Sequence, residues 1–171
     1  MEKGSEITNI GIVGAGQMGS GIAQVCAQFG YHVTLADTSS EILDKSLANI
    51  EKQAKRLLGK EQLTKQEFEA ITSNISKTIN FIAFSDCDLV IEAATENEEI
   101  NKSIFENLVP VLGNKTILAT NTSSISITRL AGSTGRPKKF IGVHFMNPVP
   151  VMNLVEVIRG MTTDDLTYKI V

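Results

Sequence analysis

Three closely spaced glycines near the start of the chain could hold a phosphate group. Gly14, Gly16 and Gly19 follow a short β-branched run that ends at Val13, and residues 18–29 carry apolar side chains at helical spacing. In such a strand–loop–helix unit the first glycine permits a tight turn, the second lets the backbone approach a pyrophosphate, and the third lets helix and strand pack closely. The amino-terminal end of the helix offers unpaired N–H groups to the phosphates.

An acidic residue completes this pattern. Asp37 ends a second predicted strand and lies 18 residues after Gly19, close to the roughly 20 expected for a ribose-binding acid. Its carboxylate would accept hydrogen bonds from the ribose hydroxyls and repel a 2′-phosphate, which favours NAD over NADP. A glycine-rich turn in some other α/β domain would leave Asp37 unexplained. The predicted cofactor-binding residues here are Gly14, Ala15, Gly16, Gln17, Met18, Gly19 and Asp37.

One of the two histidines is placed where it could move a proton. His144 ends a predicted strand, residues 140–144, and a neutral imidazole can accept a proton near neutral pH. On position alone, His144 could also be a core residue. His32 lies inside the second predicted strand and is most simply structural.

These residues need a scaffold that brings them to one edge of a sheet. Strand patterns alternate with helical stripes along the chain, which predicts an α/β fold: a Rossmann-type, doubly wound, mostly parallel sheet. Ligands bind outside the carboxyl ends of the strands in such sheets. Further strands are predicted at residues 75–82, 88–94, 116–120, 140–144 and 154–158, and the helical stripe between the second and third of these begins at Ile100.

Two helices are predicted between the second and third strands. Thr38 and Glu41 have capping-box spacing at the start of a long helix that runs to Gly59, and Thr64 and Glu67 have the same spacing at the start of a shorter one. The pair predicts a helical-hairpin insertion. The cations of the long helix, taken singly, are most simply a solvated face.

Composition excludes several classes of function. The net charge is −3 and the pI is near 5.4, so we expect neither nucleic-acid nor membrane binding. No apolar run reaches membrane-spanning length. Cys26 and Cys87 are isolated and lack metal-ligand spacing. We therefore expect a cytoplasmic protein without a metal site.

Three further motifs resemble one family. They are Asn-Thr-Ser-Ser at 121–124, His-Phe-Met-Asn-Pro-Val-Pro at 144–150 and Leu-Val-Glu-Val-Ile at 154–158. With the glycine loop, they make residues 7–163 resemble the NAD-binding domain of the L-3-hydroxyacyl-CoA dehydrogenases, including bacterial 3-hydroxybutyryl-CoA dehydrogenases. The resemblance implies NAD-dependent interconversion of (S)-3-hydroxyacyl-CoA and 3-oxoacyl-CoA. It implies a general base at His144, its acid partner at Glu156, and a serine at Ser123 that contacts the substrate oxygen and approaches the nicotinamide.

The resemblance also implies binding roles. Glu96 is expected beside the nicotinamide ribose, and Asn147 against cofactor or substrate. Asn101 stands where the family often has a cofactor-contacting lysine, and Lys102 is adjacent to it. Gln53 and Lys60 match positions of the helical insertion that bind coenzyme A.

A C-terminal helical domain found in the family is absent from this chain. That domain supplies a catalytic asparagine, much of the acyl pocket and the dimer interface, so residues 1–171 are expected to form the NAD-binding domain alone. We expect this domain to bind NAD and to turn over poorly or not at all, and the full-length protein to be a homodimer. Two alternatives remain: a non-catalytic structural relative, as in the lambda crystallins of lens, and a 3-hydroxy acid dehydrogenase that does not use coenzyme A.

Overall fold

The computed structural model describes residues 7–171 and contains one seven-stranded sheet. The strands are β1 Asn9–Val13, β2 His32–Ala36, β3 Ile75–Thr78, β4 Leu89–Glu92, β5 Ile117–Thr120, β6 Phe140–Phe145 and β7 Val155–Arg159. Their order is β3-β2-β1-β4-β5-β6-β7. Every neighbouring pair is parallel except β6 and β7, which are antiparallel. This confirms the predicted Rossmann-type, mostly parallel sheet.

Helices cover both faces of the sheet. They are α1 Gln17–Gln28, α2 Ser40–Gly59, α3 Lys65–Ser73, α4 Glu98–Leu108, α5 Ile127–Ser133 and α6 Asp165–Ile170. Ile12 packs in a core with residues of α1, α2 and α3, whereas the next residue, Val13, packs in a second core with residues of α4 and α5. This alternation is what a strand buried on both faces requires. None of the helices within residues 7–171 has the length and apolarity needed to cross a membrane.

The helical insertion precedes the edge strand β3, as predicted. Thr64 and Glu67 form a complete capping box at the start of α3. The predicted box at the start of α2 is wrong, because Ser39 caps this helix by accepting from the backbone N–H of Glu41. The Thr38 hydroxyl instead donates to Asp37.

Two other local predictions differ from the structure. The strand predicted at 75–82 ends at Thr78, because the Asn80 side chain accepts from the N–H of Ile82 and starts a 3-10 turn. Ile100, assigned to the apolar stripe of α4, is 51% exposed.

The direction of β7 follows from the connection that precedes it. Residues 146–154 contain no helix, and a parallel neighbour would need a longer crossover. The chain therefore turns back and β7 pairs antiparallel with β6. This register places Glu156 directly opposite His144.

Candidate active site

The glycine loop after β1 has the geometry that its sequence predicts. Gly14 has a φ of +101°, which favours glycine. A Cβ on Gly19 would lie 1.8 Å from the carbonyl oxygen of Gly14, so only glycine fits where α1 meets the loop. A Cβ on Gly16 would meet no atom within 4 Å. The space beside Gly16 is therefore open to a ligand that approaches the backbone.

The amino-terminal end of α1 is suited to an anion. Gly16 is its N-cap and supplies no side-chain acceptor, so the first N–H groups of this 12-residue helix have no side-chain partner. No acidic residue lies in its first turn. Open space at Gly16 and uncapped amides at the same point fit a pyrophosphate.

Asp37 lies at the carboxyl end of β2, beside this loop. Its Oδ2 accepts from the N–H of Ala15 at 2.7 Å, and its Oδ1 accepts from the N–H of Thr38 at 2.7 Å. Oδ1 also accepts from the hydroxyl of Thr38 at 3.2 Å. These bonds fix the carboxylate next to the glycine loop, and Oδ2 keeps a further lone pair for a ribose hydroxyl.

His144 and Glu156 form a hydrogen-bonded pair. Nδ1 of His144 lies 2.8 Å from Oε2 of Glu156, and the two residues are register partners on β6 and β7. A carboxylate at Nδ1 favours the tautomer with hydrogen on Nδ1, which leaves Nε2 as the free acceptor. The side chain of Glu156 is half-exposed and contacts the imidazole.

Glu96 organises the Asn-Thr-Ser-Ser loop after β5. Its carboxylate accepts from the hydroxyl of Thr122 at 2.6 Å, the N–H of Ser123 at 2.9 Å and the hydroxyl of Ser124 at 2.9 Å. The Ser123 hydroxyl lies 3.4 Å from the same carboxylate. Burial raises the pKa of Glu96, but these hydrogen bonds outweigh it and hold the pKa below its ordinary value. Glu96 and Ser123 are thus brought together.

Two residues of this region were not among the predicted site residues. Glu92, at the end of β4, is buried, and burial raises its pKa despite three hydrogen bonds to the carboxyl. Asn121 accepts from the N–H of Phe145 at 2.9 Å and ties the end of β5 to the end of β6 beside His144. For Glu92 the sequence did carry a signal, a charged residue in the otherwise apolar run 89–94. Glu is almost never fully buried unless it is paired, so such a residue is expected to have a specific partner.

A cleft of about 440 Å³ extends from the glycine loop along α2. It brings together Gly16, Gln17, Gln53 and Asn147, and Gln17 donates to Asn147 at 3.1 Å. Lys60 does not line this cleft; it is exposed at the C-cap of α2. Met18 and Glu96 line a separate pocket of about 150 Å³. No group of metal-binding side chains occurs among residues 7–171.

The structure buries Asn101, one of the predicted cofactor contacts. Asn101 has no exposed surface, and both polar atoms of its side chain lack a partner. Its contact with the cofactor stays a prediction. Lys102 pairs with Glu98 at 3.1 Å and Glu99 at 3.0 Å on α4. The family resemblance concerns only the sequence positions of Asn101 and Lys102. The rotation of α4 decides which of these side chains faces the core.

Comparison with known proteins decides the family. A sequence profile described as "3-hydroxyacyl-CoA dehydrogenase, NAD binding domain" matches residues 9–171. The chain belongs to this family. NAD is the cofactor of this domain family, and the open space at Gly16, the uncapped start of α1 and the carboxylate of Asp37 fit it.

Relatives and solved structures agree with this assignment. The chain is 48% identical to the 3-hydroxybutyryl-CoA dehydrogenase of Bradyrhizobium diazoefficiens, over 95% of this chain and 56% of the relative. It is 50% identical to the probable 3-hydroxybutyryl-CoA dehydrogenase of Deinococcus radiodurans, over 94% and 58%. The crystal structure of (S)-3-hydroxybutyryl-CoA dehydrogenase from Ralstonia eutropha superposes with a TM-score of 0.93 at 44% identity, over 96% of this chain and 58% of that one. This NAD-binding domain thus spans a little over half the length of these relatives.

Proposed function

We propose that the protein containing this NAD-binding domain interconverts (S)-3-hydroxyacyl-CoA and 3-oxoacyl-CoA, as a 3-hydroxybutyryl-CoA dehydrogenase. The observation that carries the proposal is the pair of His144 and Glu156, 2.8 Å apart at the carboxyl edge of the sheet that also carries the cofactor loop. A structural role in the manner of the crystallins has no need of this pair.

The geometry of His144, Glu156 and Ser123 supports the following roles. Nε2 of His144 accepts the proton of the substrate 3-hydroxyl, while Glu156 holds the ring through Nδ1 and stabilises the imidazolium that forms. Ser123, held by Glu96, donates a hydrogen bond to the substrate oxygen. Bound NAD would supply the hydride acceptor.

The proposed substrate carries coenzyme A rather than a free carboxylate. The 440 Å³ cleft beside the glycine loop runs from Asn147, three residues after His144, to Gln53, and Lys45 lines it. The amide side chains of Gln53 and Asn147 and the cation of Lys45 along this cleft suit the amide and phosphate groups of coenzyme A. Lys60 is placed to meet a phosphate only beyond this cleft, at the end of α2.

We further propose that residues 1–171 are one domain of a longer protein that also has a C-terminal helical domain and forms a homodimer. The proposal rests on the relatives, which are longer, and on apolar residues left exposed near β7. Val151 is 67% exposed, Leu154 54% and Met161 90%. Such a patch on a single domain is typical of an interface.

An assay of the complete protein tests the proposed reaction. NADH formation is measured with (S)-3-hydroxybutyryl-CoA and, separately, with free 3-hydroxybutyrate, which separates the coenzyme A substrate from a simple 3-hydroxy acid. We expect turnover of the thioester only, loss of turnover in His144→Ala, and no effect of His32→Ala, since His32 is exposed at the start of β2. Equal activity on the free acid would contradict the proposal.

A further inference from the structure

The carboxyl group of Glu92 lies buried at the end of the central strand β4 and makes three hydrogen bonds. Oε1 accepts from the N–H of Ala94 at 2.7 Å and from that of Thr95 at 3.3 Å, and Oε2 accepts from the hydroxyl of Thr120 at 2.7 Å. Glu92 is 1% exposed. Burying a carboxyl is costly unless it is bonded in this way, and apolar residues in such places are often equally stable.

Through the two amides, Glu92 shapes the segment on which the phosphate loop rests. A Cβ on Gly14 would lie 2.7 Å from Cα of Ala94 and 2.8 Å from the carbonyl oxygen of Ala93. The turn at Gly14 is therefore seated directly on this segment. A shift of a few tenths of an ångström at Ala94 would displace the loop that receives the pyrophosphate.

Through Thr120, the same carboxyl is linked to the site serine. The hydroxyl of Thr120 accepts from the N–H of Thr122 at 3.3 Å, and the hydroxyl of Thr122 donates to Glu96 at 2.6 Å. Glu96 in turn accepts from the N–H of Ser123. A continuous series of hydrogen bonds thus connects Glu92 with Ser123, and two carboxyl groups join the loops after β4 and β5.

We propose that Glu92 is a positioning residue that sets the phosphate loop through Ala94 and the Ser123 loop through Thr120. With 1% of its surface exposed, it acts through these hydrogen-bonded neighbours. Its effect on NAD binding stands on the structure of this domain alone, whereas its effect on turnover rests on the proposed function.

The backbone N–H groups that donate to Glu92 belong to residues near the surface, so they can bond to water when the carboxyl is removed. Ala94 is exposed and Thr95 half-buried, so in Glu92→Leu their N–H groups can turn to solvent. The segment then loses its fixed position while the surrounding core remains packed. Glu92→Gln keeps an acceptor oxygen for the amides and a polar group opposite Thr120, so it should restore most of the function.

Calorimetric titration of NAD into the 171-residue chain tests the proposal without any acyl-CoA. We expect Glu92→Leu to weaken NAD affinity about tenfold and Glu92→Gln to stay within about threefold of the wild type. The matched control is Thr116→Val, which removes an equally buried hydroxyl that donates to the carbonyl of Cys87 at 2.8 Å, away from the cofactor loop. Thr116→Val should lower the melting temperature and leave NAD affinity unchanged.

The outcomes separate positioning from general destabilisation. Wild-type NAD affinity in folded Glu92→Leu overturns the proposal, as does an equal loss in Thr116→Val. If Glu92→Leu does not fold, Thr120→Val replaces it, because this variant keeps the carboxyl and its two amide bonds. In the complete enzyme, Thr120→Val should then lower kcat with little change in NAD affinity, and an unchanged kcat overturns the link to Ser123. Absence of acyl-CoA turnover in the wild type would instead contradict the proposed function.

Discussion

The backbone N–H of Ala15 donates to Oδ2 of Asp37 across 2.7 Å, so the glycine loop and the carboxylate at the end of β2 form one unit. Oδ1 of Asp37 is held in turn by the N–H of Thr38. The carboxylate is therefore fixed in place, and its charge would face the 2′ position of a bound ribose.

This arrangement predicts the choice between the two nicotinamide nucleotides. NAD should raise the melting temperature of the chain clearly more than NADP, because Asp37 repels a 2′-phosphate. Asp37→Asn should weaken NAD binding and reduce the difference between the melting temperatures measured with NAD and with NADP. Asp44→Asn is a control that removes a carboxylate from the exposed surface of α2, where it pairs with Lys77. Equal stabilisation of the wild type by both nucleotides would overturn the assignment of Asp37.

Gly16 and Gly132 both have room for a methyl group but differ in their position in the fold. Neither would contact protein atoms within 4 Å, but only Gly16 lies at the open amino-terminal end of α1. Gly16→Ala should therefore keep its melting temperature while NAD affinity falls about tenfold or more, as binding calorimetry would show, because the methyl group occupies space needed for a pyrophosphate. Gly132→Ala, inside α5, should leave NAD affinity unchanged and raise stability by about 0.5–1 kcal/mol. Normal NAD affinity in Gly16→Ala contradicts the phosphate site.

Much of this fold and part of its site could be predicted from sequence. The glycine loop and Asp37 were predictable because backbone conformation and spacing carry that information locally. The buried state of Asn101 was not, because the rotation of α4 against the sheet is decided by packing of residues such as Phe105 and Leu108. The hydrogen bonds of Glu92 with Thr120 and of Asn121 with Phe145 could not be predicted either, since they join the ends of strands that meet only in the folded sheet.

Asp88 makes a pH-dependent contribution to stability. It lies just before β4, at the amino ends of the strands and thus away from the candidate site. It accepts from the N–H and hydroxyl of Thr8 at 2.9 and 3.0 Å and from the N–H of Asn9 at 2.9 Å. Burial raises its pKa, but the hydrogen bonds from Asn9 and Thr8 outweigh this and hold the pKa below its ordinary value. A carboxyl with a lowered pKa adds stability that is present above the unfolded-state pKa, about 3.9, and is lost as pH falls through the folded-state pKa.

Asp88→Asn should therefore lower the melting temperature at pH 7, and its difference from the wild type should shrink as the pH falls below about 4. Melting curves from pH 7 to pH 3 measure this. Asp86→Asn, at an exposed position two residues earlier, should show little difference at any pH. A difference for Asp88→Asn that stays constant over the whole range would show that the charge of Asp88 contributes nothing.

The pair of His144 and Glu156 predicts coupled losses of turnover in the complete enzyme. His144→Ala removes the general base and should lower kcat by roughly 10²–10⁴-fold, with little change in NAD affinity, because the nucleotide is held by the glycine loop and Asp37. Glu156→Gln keeps a hydrogen-bond acceptor for Nδ1 but removes the charge that stabilises the imidazolium, so kcat should also fall.

The double variant distinguishes a working pair from two independent residues. If Glu156 acts only through His144, it has no further effect once the imidazole is gone, and the double variant should turn over about as slowly as His144→Ala. Steady-state kcat of the four proteins gives the coupling directly. Losses that multiply would show that Glu156 acts independently of His144, and near-normal turnover in His144→Ala would eliminate the mechanism, because the other histidine, His32, lies at the start of β2, at the opposite edge of the sheet.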